Sequence, residues 1–300
     1  VMEGSVQSGA SRIRVNAQLI EAETGAHLWA ERFDKPRADL FDMQDEITAR
    51  LARSLDLEIV AAEGRRAERE RPNAMDSVDL FMRGWAIWHQ SPSSSRTREA
   101  RRLFEAALRL DEQNVDALIG LAGTHMTEVM SFFSDNAPEQ TDLAEAAIDK
   151  ALSLAPDNAY AHHCRGHVFY ARRAPEAALR EFEIALDLDR NFVGSYALGG
   201  LMKIFLGRAE ETEADVATAM RLSPREPGLA TWHLFIGLAD LFLGRLEAAV
   251  EQLRQSAGMN PNFGIAFVSL AAAFALAGRS AEGAEAAAAG RRLLPNFTIA

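Results

Sequence analysis

The 300 residues are 48% hydrophobic and 25% charged, the composition of a folded globular chain long enough for more than one core. The formal net charge of −11 argues against nucleic acid as a direct ligand, because proteins that grip a phosphate backbone concentrate Lys and Arg on one face. The single cysteine, Cys164, excludes an intramolecular disulfide and suits a reducing compartment. A cytoplasmic location is therefore expected, or a periplasmic one if a membrane helix precedes this region.

Ile13, Val15, Ala17 and Leu19 alternate with Arg14, Asn16 and Gln18, the period-two pattern of a half-buried strand. Turn residues bracket it at Ser8-Gly9-Ala10-Ser11 and Glu23-Thr24-Gly25, so residues 1–7 and 26–33 are predicted to be its neighbours in a meander. After Pro36, Asp39 is placed to cap a helix with the apolar stripe Leu40, Met43, Ile47, Leu51 and Leu55. Residues 1–63 thus predict a small, partial α/β domain of about three strands and one helix. Residues 64–75 follow as a charged linker, in which Arg65, Arg66, Arg69 and Arg71 interleave with Glu68 and Glu70. A solvated face explains that run better than a basic docking patch.

From residue 76 to 300 the chain is punctuated. Pro156, Pro224, Pro261 and Pro295 each close an Ala-Leu-x-Leu-x-Pro-like segment, with Arg190 in the same place, at steps of 34, 34, 37 and 34 residues. Gly207, Gly244 and Gly278 mark turns midway between. A period near 34 with helical patterning resembles tetratricopeptide-type repeats, helix hairpins that bury their apolar faces only by stacking. About six are predicted, in a mainly α superhelix. Second helices carry small–large–small triples at Ala100/Phe104/Ala107, Ala144/Ile148/Ala151, Ala178/Phe182/Ala185, Thr212/Val216/Ala219 and Ala249/Leu253/Ser256. The sixth has only Gly283, Ala287 and Gly290 and is expected to be the loosest. First helices carry the matching small residue at Gly84, Ala122, Gly166, Gly200, Gly237 and Ala271, and insertions fall near Ser91–Ser95 and Ser134–Thr141. Residues 263–278, the least polar stretch, are 16 long and in register as a first helix, too short to span a membrane.

Glu3-Gly4-Ser5-Val6, Arg14-Val15-x-Ala17-Gln18-Leu19-Ile20, the run Thr24-Gly25-Ala26-His27-Leu28-Trp29-Ala30-Glu31-Arg32-Phe33-Asp34, and Gln44-Asp45-Glu46-Ile47 resemble the second half of the TolB-like amino-terminal domain. The resemblance implies a bacterial signalling protein, since that domain typically precedes tetratricopeptide arrays in class III adenylate or guanylate cyclases, some winged-helix transcription regulators and some Ser/Thr kinases. It also implies that the effector and the first half of the domain lie upstream of Val1. At the other end, the closing Pro295-Asn296-Phe297 echoes Pro261-Asn262-Phe263, so the array is expected to continue or to lack its cap.

No nucleophile elbow, phosphate loop or paired-histidine protease helix occurs. Gly199-Gly200 has no preceding strand and reads as close helix packing, and Asp142, Glu145 and Asp149 read as a solvated stripe. No catalytic residue, cofactor or metal is expected in this segment. The most tempting metal set, His162-His163-Cys164-x-x-His167, fails on geometry, because Cys164 points about 100° away from His163 on a helix.

Likeness to tetratricopeptide proteins implies instead that the concave face is lined by residues 2, 5, 9, 12 and 13 of each first helix. Those places hold Tyr160, His163, His167 and Tyr170, then Leu201, Ile204 and Phe205, then Leu234, Leu238, Leu241 and Phe242, then Val268, Ala272 and Leu276. Such a groove suits an amphipathic helix or extended peptide of a protein partner. Curvature, a further repeat or self-association would be the alternative cover. The leading expectation is a non-catalytic regulatory and protein-interaction region of a class III cyclase; an interaction arm of a winged-helix regulator and a stand-alone scaffold are the alternatives. In the same register Lys203 and Asp240 share a place in consecutive first helices and are expected to form a partly buried pair.

Overall fold

A computed structural model describes residues 2–8, 11–20, 27–36, 76–89, 93–131, 133–223 and 228–294. The helix expected around Leu40–Leu55, the charged linker and the domain limits at residues 63 and 75 lie outside the described residues. The chain divides into two compact units, Val1–Pro156 and Asp157–Ala300.

In the first unit, β1 (Met2–Ser8), β2 (Arg12–Ile20) and β3 (His27–Pro36) form an antiparallel sheet in the order β1-β2-β3. Val6, Val15 and Phe33 lie opposite one another across it. Period-two alternation has its expected consequence. Ile13, Ala17 and Phe33 are buried, and the other face is tied by polar pairs. There Arg12 and Arg14 both reach Asp34, at 2.7 and 2.8 Å, and hold its carboxyl down to about 2. Asn16 donates to Ser5 and Gln18 to Glu3, each at 3.0 Å.

The same unit contains α1 (Ser77–Trp88), α2 (Ser94–Leu110), α3 (Val115–Met130) and α4 (Ala137–Leu154), paired as two hairpins. Their starts follow from capping. Asp76 accepts from the Asp79 amide while Asp79 accepts from the Asp76 amide, a reciprocal box. Asn114 caps α3 and Asn136 caps α4, ahead of a proline in its first turn.

The second unit holds four more hairpins: α5 (Ala159–Ala171) with α6 (Pro175–Leu188), α7 (Val193–Phe205) with α8 (Thr212–Leu222), α9 (Leu229–Phe242) with α10 (Leu246–Met259), and α11 (Gly264–Leu276) with α12 (Ser280–Leu293). Successive hairpins stack, α6 on α7, α8 on α9 and α10 on α11. None of the described helices is long and apolar enough to cross a membrane.

The small–large–small triples are the core. All fifteen of those residues in the first five repeats are at most 1% exposed. Small residues let the paired helices close until the large one fills the gap. A Cβ added to Gly166 would lie 2.4 Å from Phe182, and one added to Gly237 would lie 2.6 Å from Leu253. Where the small residue carries a hydroxyl, it bonds the facing backbone: Thr212 to the Gly200 carbonyl at 2.9 Å and Ser256 to the Ala230 carbonyl at 2.6 Å. In the sixth repeat Gly283 and Gly290 are buried but Ala287 is only half-buried.

In the second unit each turn between paired helices has one residue in the left-handed region. Gly207, Gly244 and Gly278 supply it at φ 71–75°, and Arg173 occupies the same place at φ 58°.

Candidate functional site

Within the unit Asp157–Ala300, the first helices α5, α7, α9 and α11 carry the places singled out from sequence, and the structure sorts them by depth. His163, Leu201, Ile204 and Leu234 are buried, at 8%, 4%, 2% and 4% exposure. They are core side chains, contrary to their expected place on an open groove, because the next hairpin closes over the inner turn of each first helix. Tyr160, His167, Tyr170, Leu238, Leu241 and Val268 are half-buried. Phe205, Phe242 and Leu276 are exposed, at 50%, 66% and 64%. These three each stand two residues before the turn glycine of their repeat, so they form one row. Ala272 is exposed as well, and α9 brings Leu238 and Leu241 beside the row. The result is an apolar strip at the carboxyl ends of three successive first helices.

The third repeat differs. On α5 the Nε2 atoms of His163 and His167 are 3.2 Å apart, and His163 Nδ1 is 2.9 Å from the Ser195 hydroxyl of α7. Tyr160, Phe182 and Phe192 surround the His163 ring, at centroid distances of 5.9, 5.5 and 4.7 Å. Tyr170 stacks on Phe205 of the next repeat, at 6.1 Å. Burial lowers the proton affinity of His167 to a pKa of about 4, and its Nδ1 is buried without a hydrogen-bond partner. Cys164 does not join the histidines. It is buried, and burial pushes its thiol up to about 12, which makes it inert as a nucleophile. His162 turns instead to Glu181 of α6, at 2.7 Å.

The expected Lys203–Asp240 pair does not form. Lys203 Nζ lies 2.7 Å from Asp215 and 3.3 Å from Glu211, both within its own repeat, and Asp240 lies 3.6 Å from Arg245. Burial pushes the Lys203 ammonium towards its neutral form, and the bonds to Asp215 and Glu211 outweigh it, so its pKa is raised. Burial likewise raises the Asp240 pKa against the pull of Arg245. A long lysine stem reaches its own hairpin partner before it can reach the next repeat.

Sequence reasoning missed a polar network in the first unit. Arg101 of α2 lies 3.1 Å from Glu128 of α3 and donates to the Thr124 carbonyl at 3.3 Å, while His125 meets Gln140 of α4 at 2.7 Å. The signal was Glu128, an acid at a buried place of a helix that also buries Thr124 and His125. Among the described residues no group of three or more His, Cys, Asp or Glu is placed to hold a metal ion.

No protein-family profile matches the chain. Over 154 residues, half of the chain, it is 36% identical to a protein of Rhizobium meliloti (strain 1021) named "Putative adenylate cyclase 3". That match spans only 26% of the relative's length. Among solved structures, the APC/C hetero-tetramer Cut9-Hcn1 superposes on 81% of this chain and 45% of its own, with TM-score 0.64 and 16% identity. The tetratricopeptide-repeat protein TTC0263 of Thermus thermophilus matches 66% of this chain and 99% of its own, with TM-score 0.51 and 19% identity. The fold is a tetratricopeptide-type array preceded by a small three-stranded sheet.

Proposed function

We propose that the chain is the non-catalytic regulatory and protein-interaction region of a bacterial signalling protein whose effector is a class III nucleotide cyclase on the cytoplasmic side. A peptide segment of a protein partner docks along Phe205, Leu238, Leu241, Phe242 and Leu276. The observation that carries the docking reading is the row itself: the same place in three consecutive repeats holds a large apolar side chain that is at least half exposed. Such a row loses solvent-exposed apolar area only when something covers it. The cyclase reading is supported by the 36% identity to the Rhizobium meliloti relative and by the likeness of residues 3–47 to the TolB-like domain.

A photo-crosslinking amino acid placed at position 242 tests the docking face, with the exposed Ala214 of α8 as the control position. Crosslinking of one polypeptide from position 242 and not from 214 is expected, and equal labelling from both removes the row as the docking site. The cyclase assignment is read from the coding sequence upstream of Val1. Two metal-binding aspartates of a cyclase domain support it, and a basic helix-turn-helix replaces it with a transcription regulator. The purified chain itself is expected to form no cyclic nucleotide from ATP or GTP, and turnover abolished by a carboxylate substitution here would overturn that.

A further inference from the structure

We infer that His163 and His167 form a two-imidazole site for a divalent transition cation, Cu2+ ahead of Zn2+, with water completing the coordination. The inference is independent of the docking row. Two nitrogens bound at about 2.0–2.1 Å to one ion stand about 3.3 Å apart at a tetrahedral site and about 2.9 Å apart at a tetragonal one, and the two Nε2 atoms stand between these limits at 3.2 Å. Spacing of four along α5 puts both rings on one face, and the rings are nearly perpendicular, at 76°.

The surroundings fit a ligand pair as well as a hydrogen bond. Ser195, from the next repeat, holds the outer nitrogen of His163 at 2.9 Å, the kind of support that fixes ring orientation and leaves Nε2 for the metal. The place facing that edge is Gly194, where a Cβ would lie 2.9 Å from Cε1 and 3.2 Å from Nε2 of His163. The corresponding place in the neighbouring repeats holds Tyr160, Thr231 and Ile265. Glycine therefore puts no side chain against that edge of His163, where a larger residue would crowd it.

The proton balance is simple. In the metal-free pair one ring carries its proton on Nε2 and donates it to the other. On binding, that proton moves to Nδ1 of the same ring, both Nε2 lone pairs bind the ion, and no net proton is released. His167 Nδ1 has no partner whichever ring donates, so binding adds no newly orphaned atom. Imidazole nitrogens favour Cu2+ over Zn2+ and do not suit Mg2+ or Ca2+, which demand oxygen ligands.

The experiment is a titration of the whole chain with Cu2+ against a chromogenic chelator, with pulsed electron paramagnetic resonance counting coordinated imidazoles. One equivalent with two imidazoles is expected. His167→Gln should weaken binding at least tenfold, Ser195→Ala should weaken it about tenfold, and Gly194→Val should weaken it by covering the edge. His162→Gln, which removes a histidine facing Glu181, should leave it unchanged. A single-imidazole spectrum overturns the proposal, as does wild-type binding no tighter than that of the His163→Gln/His167→Gln variant. Should the histidine variants lose their helical circular dichroism, the imidazole count on the wild type and the Gly194→Val titration still decide.

Discussion

The third and fifth repeats share one backbone and differ in what they put on it. Both close a first helix onto a second through a glycine, Gly166 against Phe182 and Gly237 against Leu253. Both then turn through a left-handed residue, Arg173 in one and Gly244 in the other. On the remaining face of the first helix, Tyr160, His163, His167 and Tyr170 stand where the fifth repeat has Thr231, Leu234, Leu238 and Leu241. The triple and the turn set the hairpin, and these places, from buried His163 and Leu234 to the half-buried remainder, carry an imidazole pair in one repeat and an apolar set in the other. Substitutions that interchange the two repeats separate these roles.

The largest expected effect is on pH dependence. Burial favours the neutral form of His167 and takes its pKa from 6.5 to about 4. The unfolded chain therefore binds this proton first as pH falls. Its contribution is fully present above pH 6.5 and is lost as pH drops towards 4, by up to about 3 kcal/mol. The fifth repeat has Leu238 at this place and no such limb. His167→Leu should flatten the loss of urea midpoint between pH 6.5 and 4.5, a window above the range in which carboxylates such as Asp34 and Glu211, both held near 2, are protonated in the folded chain. An unchanged slope in the variant would show that the limb belongs to another group, such as His125, whose pKa burial also lowers.

A step smaller is the contrast between Gly166 and Gly200. An alanine at 166 meets the Phe182 ring at 2.4 Å, and overpacking of that kind costs about 1–3 kcal/mol. At 200 the nearest atom is the Thr212 carbonyl oxygen at 3.3 Å, since Val216 stands where the third repeat has Phe182. There the better helix propensity of alanine, worth about 1 kcal/mol, should offset the crowding. Denaturation midpoints of Gly166→Ala and Gly200→Ala should therefore separate clearly. Equal midpoints would mean that the large residue of the triple does not set the approach of the two helices.

How much of this was legible in the sequence follows from which atoms decide each feature. The helix pairs, the first five triples and the three strands rest on periodicity and turn chemistry, both local, and the structure has them where the sequence puts them. The depth of each first-helix side chain is decided by the following hairpin. Leu201 and Phe205 belong to one apolar pattern, yet one is 4% exposed and the other 50%. Nor does a period of 34 reveal that the Nε2 atoms of His163 and His167 converge, which depends on ring rotamers held by Phe192 and Ser195. The third repeat makes the same turn through Arg173 instead of glycine, so no turn residue marks it in the sequence.

That exception gives a smaller, opposite pair of effects. A non-glycine residue in the left-handed region costs about 1–2 kcal/mol. Arg173→Gly should therefore raise stability by about 1 kcal/mol less the entropy a glycine loses on folding. Gly244→Ala should lower it by about 1 kcal/mol. Thermal midpoints moving in the same direction for both would show that the turn geometry is not what distinguishes the repeats.

The smallest expected effect is an absence of coupling, and it tests how the fourth and fifth repeats divide their charges. Lys203 and Asp240 occupy equivalent places, but Lys203 is held by Asp215 at 2.7 Å and by Glu211 at 3.3 Å, all inside the fourth repeat, and Asp240 faces Arg245 inside the fifth. Residues that share no partner behave additively to within about 0.5 kcal/mol, whereas members of one partly buried ion pair couple by about 1 kcal/mol or more. The cycle Lys203→Met with Asp240→Leu should accordingly be additive, and the cycle Lys203→Met with Asp215→Leu should not. Single variants are informative too, because Lys203→Met leaves Asp215 and Glu211 without their shared cation while Arg208 still neutralises Glu211 at 2.6 Å. Non-additivity in the first cycle would mean that the lysine reaches across the stack in solution. The two repeats would then be joined by charge as well as by the packing of α8 against α9.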